Sequence, residues 1–178
     1  MNHQALSAVW LLAALIATSA VARGVYQTPE AFLAEAFGSA PPAPQVLWLK
    51  DDIQTAAEQI LGHRYPGLRI RFWGEGQRTA WILEEIGKEQ PITVGLVVNR
   101  QGMELIRVLE FRESRGWEVR HPFFTEQFQG IGLTAERELD RPIDGISGAT
   151  LSVRALKKLA RLALFLHRQT AFGHDPAP

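Results

Sequence analysis

The sequence predicts an α+β fold, an antiparallel sheet of about four strands packed with helices. The first observation behind this is a change of period over residues 67–111: Leu68, Ile70 and Phe72 alternate with Arg69, Arg71 and Trp73, as a strand with two unlike faces requires. The second is that the apolar runs 68–73, 79–86, 92–98 and 104–111 follow one another across short turns. Neighbours in sequence then pair as a meander, and no strand–helix rhythm calls for a parallel sheet. The third is that helical periodicity is confined to the flanks of this block.

Residues 5–22 hold no charge and end in Ala20-Val21-Ala22 before Arg23. Small residues in an Ala-x-Ala arrangement after an apolar core are what signal peptidase cuts, yet the stretch also just reaches the length of a membrane span. Residues 1–22 are therefore read as a signal peptide or an N-terminal anchor. Either outcome places the folded part on the periplasmic or extracytoplasmic side of the inner membrane.

Residues 23–44 read as a short helix and a Pro-rich connector. Thr28-Pro29-Glu30 supplies an N-cap, a proline at the first helical position and an acidic first turn, with a stop at Gly38. Ala40-Pro41-Pro42-Ala43-Pro44 cannot continue a helix. Residues 45–170 form the main domain and 171–178 a tail. Within the domain, residues 45–49 suggest a short strand, and Asp51 and Asp52 open a helix that ends at Gly62, its apolar stripe set by Ile53, Ala56, Ala57, Ile60 and Leu61. Asn99-Arg100-Gln101-Gly102 is a hairpin signal between two strands. Residues 122–128 can form a helix that stops at Gly130, with Phe124 and Phe128 one turn apart and packing inward. A last amphipathic helix runs from Thr150 or Leu151 to about His167.

Composition narrows the chemistry. Across 178 residues, 19 basic and 19 acidic side chains cancel, so no global charge argues for nucleic acid. The chain has no cysteine, which removes disulfides, iron–sulfur ligation and thiol catalysis together. His3, His63, His121, His167 and His174 show no metal-ligand spacing, and no Gly-x-Ser-x-Gly elbow supports a hydrolase. Gly74-Glu75-Gly76 lacks a following helix, so a dinucleotide fingerprint is absent. With no catalytic or metal-ligating residue identified, any redox chemistry has to come from a borrowed cofactor.

One stretch is more specific than a fold requires: Asp144-Gly145-Ile146-Ser147-Gly148-Ala149-Thr150, followed at once by the last helix. The glycines and small side chains let backbone approach a ligand closely. The helix start behind them offers unpaired N–H groups and the positive end of the macrodipole, so a phosphate would sit well there. An ordinary helix start, with Ser147 or Thr150 as N-cap, would give the same pattern.

The run DGISGATLS resembles the Asp-x-x-[Ser/Thr]-Gly-Ala-Thr signature of the FMN-binding domain family, which includes the covalently flavinylated subunits of the sodium-pumping NADH:quinone reductase and the Rnf complex. The resemblance covers most of residues 45–168. It implies FMN as a covalent cofactor, carried through a phosphoester on Thr150 and placed there by an FAD:protein FMN transferase. It also implies Asp144, Gly145, Ser147, Gly148 and Ala149 as cofactor-binding or transferase-recognised positions. A second, looser likeness lies in Glu113-Ser114-Arg115-Gly116 and in Phe124 with Gln127-Phe128-Gln129-Gly130; Arg115 stands where the family usually has proline. Glu113 then either lines the flavin pocket or is a solvated loop carboxylate. Arg154, one turn into the helix, is near enough to assist a phosphate.

Arg154, Lys157, Lys158, Arg161 and Arg168 share the side of the last helix opposite Leu156, Leu159, Ala163 and Leu166. Two readings stand: a solvated face, or a docking patch for an acidic partner or an anionic membrane surface. The expected function is an exported electron-transfer flavoprotein, a carrier rather than an enzyme with its own substrate, exchanging electrons with a membrane or periplasmic redox partner. The alternative is an interaction module that keeps the fold without covalent flavin.

Overall fold

Five strands form one antiparallel meander in the order β1 (Gln45–Trp48), β2 (Arg69–Glu75), β3 (Arg78–Ile86), β4 (Pro91–Asn99) and β5 (Gly102–Phe111). The computed structural model describes residues 24–174, so the expectation for residues 1–22 lies outside the described residues. The sheet has one strand more than the four of the alternating block. The extra strand is β1, whose Gln45 pairs with Phe72 and Trp48 with Arg69 of β2. Helix α2 (Asp51–Leu61) separates the two and turns the chain back, so a reading based on adjacent runs leaves their pairing unassigned. Leu68, expected in the second strand, lies just outside it and is exposed; its carbonyl accepts from Leu49 N–H at 2.9 Å.

Both faces of the sheet are covered. Helix α1 (Pro29–Phe37) lies on one, where Phe32, Leu33 and Ala36 pack on Ala80, Val97 and Leu109. The Thr28 hydroxyl accepts from Ala31 N–H at 3.2 Å, the expected N-cap, and Glu35 anchors the helix to Arg107 of β5 at 2.7 Å. The described part of that segment, residues 24–44, is thus held to the sheet by its helix. The other face carries α2 and helix α4 (Thr150–His167), with the main core between. Leu156, Leu159, Leu162 and Leu166 of α4 are fully buried there, at roughly 1.5–3 kcal/mol each. Among the described residues no helix is long and apolar enough to cross a membrane.

The chain between β5 and α4 is mostly irregular. The helix expected over residues 122–128 divides into α3 (Pro122–Thr125) and a 3-10 turn, Glu126–Phe128. The cause is the sheet: Gly130 N–H donates to the Met103 carbonyl of β5 at 2.7 Å and Met103 N–H to Ile131 at 2.8 Å, drawing the chain out of helical register. Phe124 and Phe128 are fully buried with rings edge to face at 5.5 Å, so they are core, as expected.

Candidate functional site

The loop over residues 144–149 delivers the start of α4 to the surface. Ala149 N–H donates to the Ile146 carbonyl at 3.0 Å, closing a turn with Ser147 and Gly148 in its middle. Gly148 has φ +82°, the value a type II turn requires at its third position, and nothing stands within 4 Å of where a Cβ would be. Glycine is needed there for the turn alone. The N-cap of α4 is Ala149, which makes no side-chain cap, and Thr150 takes the first helical position. This corrects the ordinary helix start: neither Ser147 nor Thr150 caps the helix. The first-turn N–H groups have no intrahelical partner and no capping side chain, while the Thr150 side chain is exposed.

Two clefts meet at Thr150. One, of about 350 Å³, is formed by residues 148–152 facing Lys88, Glu113, Ser114 and Arg115. The other, of about 550 Å³, runs along α4 past Val153, Arg154 and Lys157, with Leu139, Arg141 and Pro142 opposite. Of the residues singled out in the sequence, the structure brings Gly148, Ala149, Thr150, Glu113 and Arg154 to these clefts. Asp144, Gly145 and Ser147 line neither; Asp144 and Gly145 are exposed on the approach to the turn and Ser147 is exposed within it.

Glu113 is where it is because β4 begins at Pro91 and β5 ends at Phe111, which sets the residues after β5 beside the β3–β4 turn. Its Oε1 accepts from the N–H groups of Lys88, Glu89 and Gln90 at 2.5, 2.6 and 2.9 Å. Burial alone would raise its pKa; those three N–H groups and the Lys88 charge outweigh that and hold it below the ordinary carboxylate range. Glu113 is therefore both an anionic clamp on the turn and part of the cleft wall. The clamp also places Lys88, which the sequence alone gave no reason to name; the signal would have been a turn residue opposite a carboxylate across two paired strands.

Two further joints hold the site. Gly116, at φ +88°, brings its bare Cα against Ser152 in the first turn of α4. Gln127 Oε1 accepts from Asp144 N–H at 2.8 Å, which ties the Phe-x-x-Gln-Phe turn to the head of the 144–150 run. Both sequence clusters thus converge on one helix start.

The basic side of α4 is not one uniform face. Arg161 is held by the Arg137 carbonyl at 2.7 Å and by Glu138 at 2.6 Å, and Arg168 donates to the Leu133 carbonyl at 2.6 Å. Lys158 stands 3.9 Å from Glu85, a buried carboxylate that also meets His63 Nε2 at 2.9 Å. Arg154 and Lys157 remain as the cations with no ion pair to a described residue. Among the described residues no group of three or more His, Asp or Glu stands as a metal site.

The donor set fits an esterified or bound phosphate. Open N–H groups and the positive end of the α4 dipole face it, with Lys88 and Arg115 in one adjoining cleft and Arg154 in the other. No curated protein matches the chain. Residues 87–164, from the turn that Glu113 clamps to the fourth turn of α4, match the family model described as the FMN-binding domain. Over that stretch the chain resembles the FMN-binding domain family, and the match supports FMN as its cofactor.

Proposed function

We propose that the protein is an extracytoplasmic electron carrier that holds FMN covalently through a phosphoester on Thr150 Oγ1. The observation that carries the reading is the position of Thr150: an exposed hydroxyl on the first residue of an uncapped helix, at the junction of two clefts. A hydroxyl serving as N-cap would be occupied by the backbone, whereas Thr150 is spared that work by Ala149. An FAD:protein FMN transferase would supply the group: the Thr150 oxygen bonds to the FMN phosphorus of FAD, AMP leaves, and the hydroxyl proton leaves with it. Gly148 and Ala149 keep the approach open, and Arg154, one turn on, offsets the phosphate charge.

Bound FMN supplies chemistry the chain lacks, since it accepts two electrons and can pass them on singly. The chain's own residues would position and partly shield it, with Glu113 and its clamped turn walling the cleft of about 350 Å³. Covalent attachment suits the export that the uncharged stretch 5–22 supports, because a dissociable flavin is lost by dilution outside the cytoplasm. Electrons would come from and go to a membrane or periplasmic redox partner, and the cations of α4 would also favour an anionic membrane surface.

The test is intact mass after coexpression with an active transferase. The wild type should gain the mass of FMN minus water, mapped to the peptide containing Thr150, and Thr150→Ala should gain nothing. Because Thr150 makes no cap bond, that variant should lose no more than about 0.5 kcal/mol of stability. A wild type that never gains the mass is the interaction module instead, and a mass that persists in Thr150→Ala places the attachment elsewhere.

A further inference from the structure

We propose that the groove along α4 beyond Thr150 is a docking site for a small anionic electron-exchange partner, one that carries phosphate or carboxylate groups on a flat ring system. Its role rests on the flavin reading above; its binding chemistry does not.

Charge is the first ground. The groove is lined by Arg141, Arg154, Lys157, Lys158 and Arg161 against one carboxylate, Glu138. That carboxylate is already engaged by Arg161, Lys158 is turned toward Glu85 and Arg154 serves the flavin phosphate once that is attached, so Lys157 faces the groove with no ion pair to a described residue. Arg141 is anchored by one N–H on the Gln129 carbonyl, which orders its guanidinium. An anion entering here displaces no internal partner of Lys157, and it meets donors part of which are already fixed.

Shape and floor are the second ground. At about 550 Å³ the groove lies within the range of small-molecule sites, and Leu139, Pro142 and Val153 add apolar surface among its cations. A flat ring against that apolar surface with its anionic groups on the cations satisfies both at once. Position is the third ground: the groove begins at Thr150, so its occupant lies beside whatever Thr150 carries, on the side away from Glu113.

Ferrocyanide and ferricyanide are probes for the anionic requirement, and Lys157 is the residue to vary because it lines the groove without belonging to the attachment site. Calorimetry on the chain without flavin should show ferrocyanide binding that weakens by about tenfold as ionic strength rises from about 0.02 M to about 0.2 M. Lys157→Glu should weaken it by about fivefold or more, and Lys157→Arg should restore it. On the flavin-loaded chain, each reduced flavin gives one electron to each of two ferricyanide ions and its protons to solvent. That reoxidation should slow in Lys157→Glu, while reoxidation by the cation hexaammineruthenium(III) should not. Ferrocyanide binding that is absent, or indifferent to Lys157→Glu, overturns the groove whether or not flavin is loaded. Binding as described in a chain that never loads flavin leaves the groove standing and removes the carrier function instead.

Discussion

Gly116 meets Ser152 face to face: a Cβ on Gly116 would run into the Ser152 hydroxyl, stand 3.3 Å from the Ser152 Cβ and approach the Ala149 Cα to 3.6 Å. This contact locks the loop after β5 onto the first turn of α4. Gly116 also has φ +88°, where a side chain is strained in any surroundings.

Gly116→Ala should therefore cost about 1–3 kcal/mol and widen the cleft between Glu113 and Thr150. Gly145→Ala is the control for stability, since nothing lies within 4 Å of its Cβ position and its φ is not positive. Stability to chemical denaturation and the flavin-to-protein ratio should both fall in the first variant, whereas the stability of the second should stay within about 0.5 kcal/mol of wild type. Equal behaviour of the two would show that the Gly116–Ser152 joint does not shape the site.

His167 gives the fold an acid limit. Trp81 Nε1 donates to Thr79 Oγ1 at 2.9 Å, and Thr79 Oγ1 lies 2.8 Å from His167 Nδ1. That hydroxyl and Nδ1 share one hydrogen bond, while Nε2 has no hydrogen-bond partner among the described residues. Burial, with a smaller contribution from the Arg168 charge, lowers the pKa from 6.5 to about 4. The unfolded chain therefore binds the proton more readily than the folded one. The stability from neutral His167 is fully present above pH 6.5 and is lost as pH falls toward about 4. The slope is at most about 1.4 kcal/mol per pH unit for one proton. Urea unfolding across this window should show it, and His167→Asn, which keeps an acceptor for Thr79, should flatten it. Identical slopes would remove His167 as the cause.

How much of this could be read from the sequence depended on how local the determinants are. Thr28, Gly38 and Gly62 set helix ends through their own backbone or the next turn, and the structure has those ends where the residues predict. The extent of α4 likewise follows from its apolar spacing. The pairing of β1 with β2, the Glu113 clamp on residues 88–90 and the capture of Arg161 by Glu138 join positions far apart in the chain. No periodicity records such pairings. The same holds at the site, where the 144–150 run is legible as a motif but its two clefts exist only because β5 and the β3–β4 turn stand across from it.

The tie between Gln127 and Asp144 yields the last prediction. Residues 144–149 are largely exposed, and apart from the Ala149–Ile146 turn bond, the hydrogen bond from Asp144 N–H to Gln127 Oε1 at 2.8 Å is what fixes the entry to the turn. Gln127→Leu keeps the size of the side chain and removes the acceptor, so it should cost about 1 kcal/mol and leave the 144–150 run less ordered when a transferase engages it. Gln127→Glu retains an acceptor at the same reach and gives up only the long 3.4 Å bond from the Gln127 amide to the Phe123 carbonyl, so it should load flavin faster than Gln127→Leu. Asp144→Ala leaves the backbone bond intact, so its stability should not change, and any loss of loading in that variant reports on recognition of the carboxylate itself. The comparison is the rate of covalent flavin appearance in the three variants with one transferase preparation. Normal loading in Gln127→Leu would mean that the turn at Gly148 holds Thr150 in place unaided.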